Sequence, residues 1–325
     1  MKSLKTACLA LSFLLSTGYC TNALFTRNSI FELASSTANV KVYFIDVGQG
    51  DAIFIDTDAM DVLVDGGPPS CNIMGYLNYL NVTWIDLVVA THVHSDHVGG
   101  VISVLNSTIQ VDAVMINNQT STTATYQQFM SLAQTHQILI AKRGDSYSLA
   151  NNTNFTVLNP TQPLSFSDEN DNSIVFRLQV GETYSLFTGD SGADAEEQML
   201  QTVANLKCDV LKVAHHGSRT STTAPFLDAV SPTVAVISVG AGNTYGHPHN
   251  ETIQRLIERN ITVYSTECSG TIQINSDGAS VQVQGSPTPI PEFSPPIVLL
   301  ILIFVTVTVV GALKKRGKNI VKKRW

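Results

Sequence analysis

The loop from Thr91 to Gly100, which we call the histidine loop, constrains the fold of this chain more than any other segment. It reads Thr-His-Val-His-Ser-Asp-His-Val-Gly-Gly and holds three of the chain's eight histidines. An apolar β-like run precedes it and a helical pattern over 98–107 follows it, so we expect it to join a strand to a helix. His92 and His94 lie on the same side of an extended backbone, because alternate residues share a face. Imidazole and carboxylate groups at this spacing predict a site for zinc or a similar cation.

Strand and helix patterns outside the loop predict one α/β domain over residues 40–284. Apolar residues alternate over 40–47, 52–56 and 61–65, as they do in strands that bury one face. Further along, predicted strands alternate with predicted helices, and a hairpin around Asp277 closes the domain. Strands that come in runs and then alternate with helices, twice over, predict two packed sheets covered by helices. This arrangement is a four-layered αββα sandwich.

Both ends of the chain carry patterns typical of membrane targeting. A basic start and a short apolar run predict a secretory signal peptide over residues 1–25, with a lipoprotein signal at Cys20 as the alternative. A Pro-rich linker over 285–296 leads to an uncharged apolar run over 297–313, which predicts a transmembrane helix. The basic tail over 314–325 follows. The positive-inside rule then predicts a cytoplasmic tail and an extracellular domain.

The charge of the domain argues against a general nucleic-acid binder. Residues 26–296 hold ten Lys or Arg and 26 Asp or Glu, a balance of −16. A long anionic polymer finds little electrostatic attraction on such a body, because binding to a phosphate backbone depends on basic side chains.

Four further groups of polar residues flank predicted strands, where the loops of a sheet gather at one edge. They are Asp171-Asn172-Ser173, Gly189-Asp190, His215-His216-Gly217-Ser218 and Tyr245-Gly246-His247-Pro248-His249. Every histidine except His136 falls in one of these groups or in the histidine loop. His136 comes late in a predicted helix, and we interpret it as structural.

Together these groups predict two divalent metal ions, zinc or manganese, that share one bridging carboxylate. The predicted ligands, all histidines or aspartates, are His92, His94, Asp96, His97, the bridging Asp190, and either His215 or His216. The first two histidines would hold one ion, and the aspartate and histidine that follow them would hold the other. A water between the ions would lose a proton near neutral pH and attack an electrophile.

Catalysis and substrate binding are assigned to residues around these ligands. Asp96 is predicted to take part in catalysis as a metal ligand. His247 is predicted to donate a proton to the leaving group or to hold a substrate oxygen. The predicted substrate-binding residues are Asn172, Ser173, Ser218, Arg219 and His247. Lys212 is as compatible with a solvated strand position as with a role in holding an anion.

The histidine loop, Gly189-Asp190 and the late histidine together resemble the metallo-β-lactamase superfamily. Within it, residues 46–52 (Asp-Val-Gly-Gln-Gly-Asp-Ala), 215–218 (His-His-Gly-Ser) and 246–248 (Gly-His-Pro) look like the hydrolase domain attached to the ComEC-type competence DNA-uptake channel. The resemblance covers residues 40–284. It implies the αββα fold and a metal-dependent hydrolase that acts on phosphodiesters or DNA. The channel portion has no counterpart in this sequence, so a role in DNA transport is not implied.

One ligand that many members of the superfamily use has no equivalent here. They supply a third histidine to the first ion between the histidine loop and the bridging aspartate, and this interval offers only His136. The resemblance implies that Asp171, Asn172 or a substrate oxygen fills the position. Fewer nitrogen ligands favour a harder ion, which makes manganese the alternative to zinc.

The C-terminal segment carries a second resemblance. Ile290-Pro291-Glu292-Phe293, the apolar run and the basic tail are similar to archaeal sorting signals, which implies a sorting enzyme as a partner. Processing would remove the predicted span, and the sequence leaves open whether the span is retained. No obligate protein partner is predicted, and the pattern does not determine the oligomeric state.

Three functions are compatible with the pattern. The first is a cell-surface, metal-dependent phosphodiesterase or nuclease with DNA or a nucleotide as substrate, which the His-His-Gly-Ser and Gly-His-Pro motifs favour. The second is a lactonase- or lactamase-type hydrolase of a carbonyl substrate, whose members share the histidine loop but not the late motifs. The third is a non-catalytic surface binding module, which a lost metal ligand would mark. The five ligands His92, His94, Asp96, His97 and Asp190 are all present.

Overall fold

The computed structural model describes residues 39–288, which form two β-sheets covered by α-helices. The strands of this part of the chain are β1 (Val40–Phe44), β2 (Ile53–Asp56), β3 (Asp61–Val64), β4 (Trp84–Val89), β5 (Gln110–Ile116), β6 (Gln137–Ile140), β7 (Ser146–Ala150), β8 (Thr153–Asn159), β9 (Val175–Val180), β10 (Thr183–Phe187), β11 (Val210–Lys212), β12 (Val234–Ile237), β13 (Thr262–Ser265), β14 (Ile272–Ser276) and β15 (Val281–Gln284). The α-helices are α1 (Ile73–Tyr79), α2 (Ser95–Leu105), α3 (Ala124–Ala133), α4 (Ala193–Thr202), α5 (Ala224–Val230), α6 (Asn250–Ile257) and α7 (Thr266–Ser269). Short 3-10 turns lie at Asn170–Asn172 and Ala214–Gly217.

The two sheets share one organising feature, a set of parallel strands. The first sheet has the order β15-β14-β1-β2-β3-β4-β5-β6, and its strands β3 to β6 are parallel. The second has the order β13-β12-β11-β10-β9-β8-β7, and β10 to β13 are parallel. Ligand sites of α/β sheets lie beyond the carboxyl ends of such strands. The histidine loop follows β4, and Asp190 and the paired histidines follow β10 and β11.

The buried side chains form three apolar layers, which confirms the predicted αββα sandwich. The middle layer lies between the sheets, where Phe155, Phe176 and Phe187 stack with ring centroids 4.0 and 4.6 Å apart. One outer layer packs α1, α2 and α3 against the first sheet, and the other packs α4, α5 and α6 against the second. Since each helix buries one apolar face on a sheet, four layers result.

The observed elements differ from the predicted ones at two places that matter. Helix α2 begins at Ser95 and not at residue 98, so Asp96 and His97 lie in its first turn. The ligand residues interrupt the apolar helical period there, which hides the start of the helix from the sequence. Strand β7 was not predicted, because only Leu149 of its five residues is buried.

Two glycines let the histidine loop pack directly on the neighbouring loop that follows β3. The N–H of Gly66 donates to the carbonyl of His97 at 2.8 Å, and the N–H of Gly100 donates to the carbonyl of Gly67 at 2.7 Å. A Cβ on Gly100 would collide with the carbonyl of Gly66. The first turn of α2 is therefore held against the loop that begins with Asp65, the residue directly after β3.

The predicted targeting segments fall outside residues 39–288. These are the signal peptide over 1–25 with Cys20, the transmembrane run over 297–313 and the tail over 314–325, together with the part of the linker beyond residue 288. Over the described range, no helix has the length and apolar character that a membrane crossing requires.

Candidate metal centre

The first half of the candidate site is formed by the two histidines that open the histidine loop. His92 Nε2 lies 3.0 Å from His94 Nδ1 and 3.9 Å from Asp190 Oδ2. His94 has extended backbone angles and forms the N-cap of α2, so its ring turns back toward His92. The structure thus brings one nitrogen of each histidine to the same point, beside the aspartate that follows β10.

The second half lies on the other side of Asp190. Asp190 Oδ2 is 3.3 Å from His97 Nε2 and 3.4 Å from His216 Nε2, and the latter is 3.4 Å from Asp96 Oδ2. Ligand atoms of Asp96, His97 and His216 all lie within 4.8 Å of one another, and those of His92, His97 and Asp190 do the same. Asp190 therefore lies between the two halves, and its predicted role as a bridging ligand is compatible with this position.

The unpaired polar atoms of this cluster fit a divalent cation. His97 Nε2, His216 Nε2 and Asp190 Oδ1 are buried and have no hydrogen-bond partner among the residues that the structure describes. An orphaned buried polar group costs about 1–3 kcal/mol, and native proteins contain few of them. Three such atoms on imidazole and carboxylate groups of one cluster match the donor set that zinc and manganese take.

The pKa shifts within the cluster indicate that its buried carboxylates favour a positive charge beside them. Burial alone lowers the pKa of His97, but the carboxylates of Asp190 and Asp65 outweigh burial and raise this pKa well above its ordinary value. For Asp190, burial raises the pKa, but His216 and His97 hold it well below the usual range. The pKa of His92 falls well below its ordinary value because of burial and the neighbouring His97. Metal binding would displace the protons that otherwise compensate the carboxylates.

A carboxylate behind His97 orients its ring. His97 Nδ1 lies 2.8 Å from Asp65 Oδ2, and Asp65 in turn accepts hydrogen bonds from the N–H and the hydroxyl of Thr91 at 2.8 and 2.7 Å. Such a partner leaves the opposite ring nitrogen free for a metal. Asp65 was not among the site residues predicted from the sequence. Its position between the end of β3 and Gly66-Gly67 is the signal that could have identified it.

A buried ion pair stands behind His216. Lys212 is 0% exposed, and its Nζ lies 2.7 Å from Asp51 Oδ2 and donates to the carbonyl of Val213 at 2.9 Å. Asp51 Oδ1 lies 3.3 Å from His216 Nδ1. The solvated position that the sequence allowed for Lys212 is therefore wrong. Asp51 belongs to the 46–52 motif, but nothing in its spacing predicts a buried partner 161 residues away.

The paired histidines differ in their surroundings. Both have left-handed backbone angles, with φ of 51° for His215 and 53° for His216, a conformation that costs roughly 1–3 kcal/mol per residue. His216 is buried within the cluster, whereas the His215 side chain is 27% exposed and its Nε2 lies 3.9 Å from Asp190 Oδ2. The strained turn therefore sends one ring to the ligand cluster and the other to the open side of the site.

The structure does not place Asp171 or Asn172 where a third ligand of the first ion would be. Asp171 accepts hydrogen bonds from the N–H groups of Gly192 and Ala195 at the start of α4. The Asn172 amide donates to the carbonyls of Phe166 and Asp168. Both side chains therefore form hydrogen bonds with backbone groups of the domain.

The residue that approaches the first half is Glu169, which was not predicted from the sequence. Its Oε2 lies 2.9 Å from His94 Nε2. The Glu169 side chain is 38% exposed, so this contact is open to solvent. His136 lies apart from the site, with Nδ1 3.0 Å from the carbonyl of Val111.

A cavity of about 450 Å³ opens over the cluster. Its lining residues are Gln49, Val93, His94, Ser95, Asp96, Thr123, Thr125, Asn170, Asp190, His215, His216, Tyr245 and His247. No lysine or arginine is among these described lining residues. Burial and the nearby His215 lower the pKa of His247 to about 4, so its ring is neutral near pH 7.

Of the predicted substrate-binding residues, the structure brings only His247 to the cavity lining. Ser173 Oγ accepts the N–H of Asp190 at 3.2 Å, and Ser218 Oγ lies 3.0 Å from the hydroxyl of Thr220. Arg219 is exposed and pairs with Glu251 at 3.2 Å. These contacts give Ser173 and Ser218 structural roles and hold Arg219 away from the cavity.

Comparison with known proteins is consistent with this geometry. Residues 45–241 match the family described as the metallo-beta-lactamase superfamily. The chain is 30% identical over 278 residues to ComE operon protein 3 of Bacillus subtilis, covering 79% of this chain and 35% of that protein. It is 28% identical over 258 residues to Recombination protein 2 of Haemophilus influenzae, covering 77% of this chain and 30% of that protein. The chain thus spans about a third of the length of these relatives.

A solved structure with a similar fold is the metallo-beta-lactamase fold protein YhfI from Bacillus subtilis. The TM-score is 0.46 at 13% sequence identity, over 70% of this chain and 95% of that one.

Proposed function

Because this chain belongs to the metallo-β-lactamase superfamily of metal-dependent hydrolases, we propose that it is a phosphodiesterase that acts at the cell surface. The observation that carries the proposal is the buried cluster of unpaired histidine and aspartate atoms under a cavity whose other lining residues are uncharged. The relatives named for competence and recombination are in keeping with a substrate that contains phosphodiester bonds.

The ligand assignment follows from the two halves of the cluster. His92 and His94 would hold one divalent ion, and Asp96, His97 and His216 the other, with Asp190 between them. Divalent ions in such a site supply Lewis acidity and lower the pKa of a coordinated water toward neutrality. Zinc and manganese both accept this set of nitrogen and oxygen ligands.

The other residues of the cavity suit a substrate with a single negative charge. His215 and His247 have lowered pKa values, so near neutral pH each presents a neutral ring with one N–H that can donate to a phosphoryl or leaving-group oxygen. Gln49, Thr123 and Asn170 add uncharged donors and acceptors. A phosphodiester monoanion needs fewer cationic partners than a phosphomonoester dianion. Residues 26–296 carry a net charge of −16, which disfavours binding of long DNA and so supports a short substrate.

The direct test compares wild type with an Asp96→Ala, His97→Ala double variant, and uses His136→Ala as a matched control outside the site. We expect zinc- or manganese-dependent cleavage of bis(p-nitrophenyl) phosphate by wild type and the control. In the double variant, both the cleavage and the metal content measured by mass spectrometry should fall. Cleavage of the lactam nitrocefin without cleavage of the phosphodiester would favour the carbonyl hydrolase. Bound metal without turnover on either substrate would favour a binding module.

The location is a separate part of the proposal. The apolar run over 297–313 and the basic tail support an anchored protein with its domain outside the cell, and the segment around Pro291-Glu292-Phe293 supports recognition by a sorting enzyme. Membrane fractionation and protease accessibility in intact cells test the anchor and the orientation. Mass measurement of the C-terminal peptide distinguishes a retained span from a processed one.

A further inference from the structure

An exposed tyrosine stands at the rim of the cavity. Four large apolar or aromatic side chains are exposed within residues 39–288, and of these Tyr245 is the one that lines the cavity, with 65% of its surface exposed. Its ring stacks on His247, with centroids 5.7 Å apart and planes inclined by 22°. The imidazole therefore packs against the tyrosine ring and leaves most of the side chain open to solvent.

The loop that carries Tyr245 is held in shape by one amide side chain. Asn243 Oδ1 accepts the N–H groups of Tyr245 and His247 at 3.1 and 3.0 Å. Asn243 Nδ2 donates to the carbonyls of Gly240 and His247 at 2.9 and 2.6 Å. These bonds cross-link the loop at both ends, so the stacked pair of rings is set before any ligand arrives. A preorganised aromatic surface loses less conformational entropy on binding than a mobile one.

The base of the same loop is attached to a cavity residue with unused hydrogen-bonding capacity. The N–H of Gly240 donates to Gln49 Oε1 at 3.3 Å, whereas Gln49 Nε2 is buried and has no hydrogen-bond partner within residues 39–288. Asn170 Oδ1, also in the lining, is buried and has no hydrogen-bond partner in this range either. The cavity thus combines an exposed aromatic face, a free amide donor and a free amide acceptor, and all three are uncharged.

We infer that Tyr245 is a stacking platform for a nucleobase and that the substrates of this site are nucleoside phosphodiesters. The inference rests on the proposed phosphodiesterase function and adds a substrate class to it. Aromatic side chains bind bases of any sequence because every base has a π face. The described lining has no lysine or arginine to hold a second phosphate, so affinity beyond the reacting diester has to come from stacking and neutral hydrogen bonds. Short nucleotide substrates meet that requirement.

The experiment uses two substrates that differ only in the base. Thymidine 5′-(p-nitrophenyl phosphate) is compared with its abasic 1,2-dideoxyribose counterpart, so the leaving group and the sugar phosphate are the same. We expect wild type to prefer the thymidine compound in kcat/KM, and Tyr245→Ala to reduce this preference about tenfold, mainly through KM. Tyr245→Phe should retain the preference. Tyr79→Ala removes a tyrosine that is 76% exposed on α1, outside the cavity lining, and is the matched control.

The outcomes separate this inference from the proposed function. Cleavage of both compounds with the same preference in wild type and Tyr245→Ala would overturn the stacking role and leave the phosphodiesterase in place. An equal loss on both compounds would also overturn it, because Tyr245 would then act through the position of His247. If neither compound is cleaved, calorimetry of thymidine 5′-monophosphate with the metal-loaded protein decides. About tenfold weaker binding by Tyr245→Ala supports the platform, and unchanged or absent binding overturns it.

Discussion

The two halves of the candidate metal centre are built differently. In the half formed by Asp96, His97 and His216, both imidazoles have buried partners. Asp65 lies 2.8 Å from His97 Nδ1, and the Ser238 carbonyl and the Asp51 carboxylate lie 2.9 and 3.3 Å from His216 Nδ1. In the half formed by His92 and His94, the acidic partner is Glu169, whose side chain is 38% exposed. Buried partners hold ligands in one geometry, and exposed partners are screened by water and salt. We therefore expect the buried half to bind its ion more tightly and the open half to exchange its ion with solvent.

The strongest test of the buried half removes the cation behind it. Lys212→Met keeps the length of the side chain but leaves Asp51 as a buried carboxylate without its ion-pair partner. Breaking a buried pair in this way costs about 3–5 kcal/mol. We expect a loss of this size in the free energy of unfolding, measured by urea denaturation of the metal-free protein.

The control for this effect is Lys207→Met, which removes an exposed lysine and should change the free energy of unfolding by less than about 0.5 kcal/mol. Adding Asp51→Asn to Lys212→Met should recover part of the loss, because it removes the uncompensated charge. An unchanged free energy of unfolding in Lys212→Met would show that the buried half is not supported by this pair.

Glu196 is a second buried carboxylate and contrasts with Asp51, because within the described part of the chain it forms no ion pair. Glu196 accepts hydrogen bonds from the N–H groups of Thr222 and Thr223 at the start of α5. Burial nevertheless raises its pKa to about 7 from the ordinary 4.5, and the more distant Arg255 only partly opposes this. Since the folded-state pKa is raised, the stabilising contribution is complete below pH 4.5 and is lost as the pH rises to 7.

The expected loss over that window is up to about 3 kcal/mol in the free energy of unfolding, from roughly 1.4 kcal/mol per pKa unit. Glu196→Gln should flatten the pH dependence between pH 4.5 and 7 when urea denaturation is repeated across the range. Glu197→Gln on the same helix is the control and should keep it. A free energy of unfolding that rises with pH through this window in wild type, and not in Glu196→Gln, would contradict the assignment.

The sequence predicted the fold and a set of candidate metal ligands that the structure brings together, because both depend on local patterns. Alternating apolar residues identified the strands, and the histidine loop places three histidines and one aspartate within six positions. The sequence did not predict the roles of Asp51, Lys212 or Glu169. Their roles arise from pairings between residues 75 to 161 positions apart, which only the packing of the sheets creates. Asn172 and Ser173 were assigned to substrate because they flank a strand, but their hydrogen bonds serve the backbone instead.

The orientation of His97 provides the next test of the buried half. Asp65→Asn keeps the size of the side chain but weakens the contact that leaves Nε2 of His97 free for the metal. Loss of such a partner weakens metal binding roughly 10- to 100-fold. Competition with a chromophoric chelator measures the affinity of the tighter ion. Asp228→Asn, which alters an exposed pair with Arg259, is the control. If the affinity for the tighter ion is the same in Asp65→Asn as in wild type, Asp65 stabilises the fold and does not orient the ligand His97.

The smallest effect is expected in the open half. Glu169→Ala removes the carboxylate 2.9 Å from His94 Nε2, so His94 loses the partner that directs Nδ1 toward His92. Because Glu169 is partly exposed, water replaces much of this interaction, and we expect no more than about tenfold weaker binding of the second equivalent of metal. The same chelator titration measures it, and Glu182→Ala, an exposed acidic residue elsewhere, is the control. High salt should reduce the difference between Glu169→Ala and wild type, because salt screens exposed charges. A larger loss in Glu169→Ala than in Asp65→Asn would reverse the comparison and make the open half the tighter site.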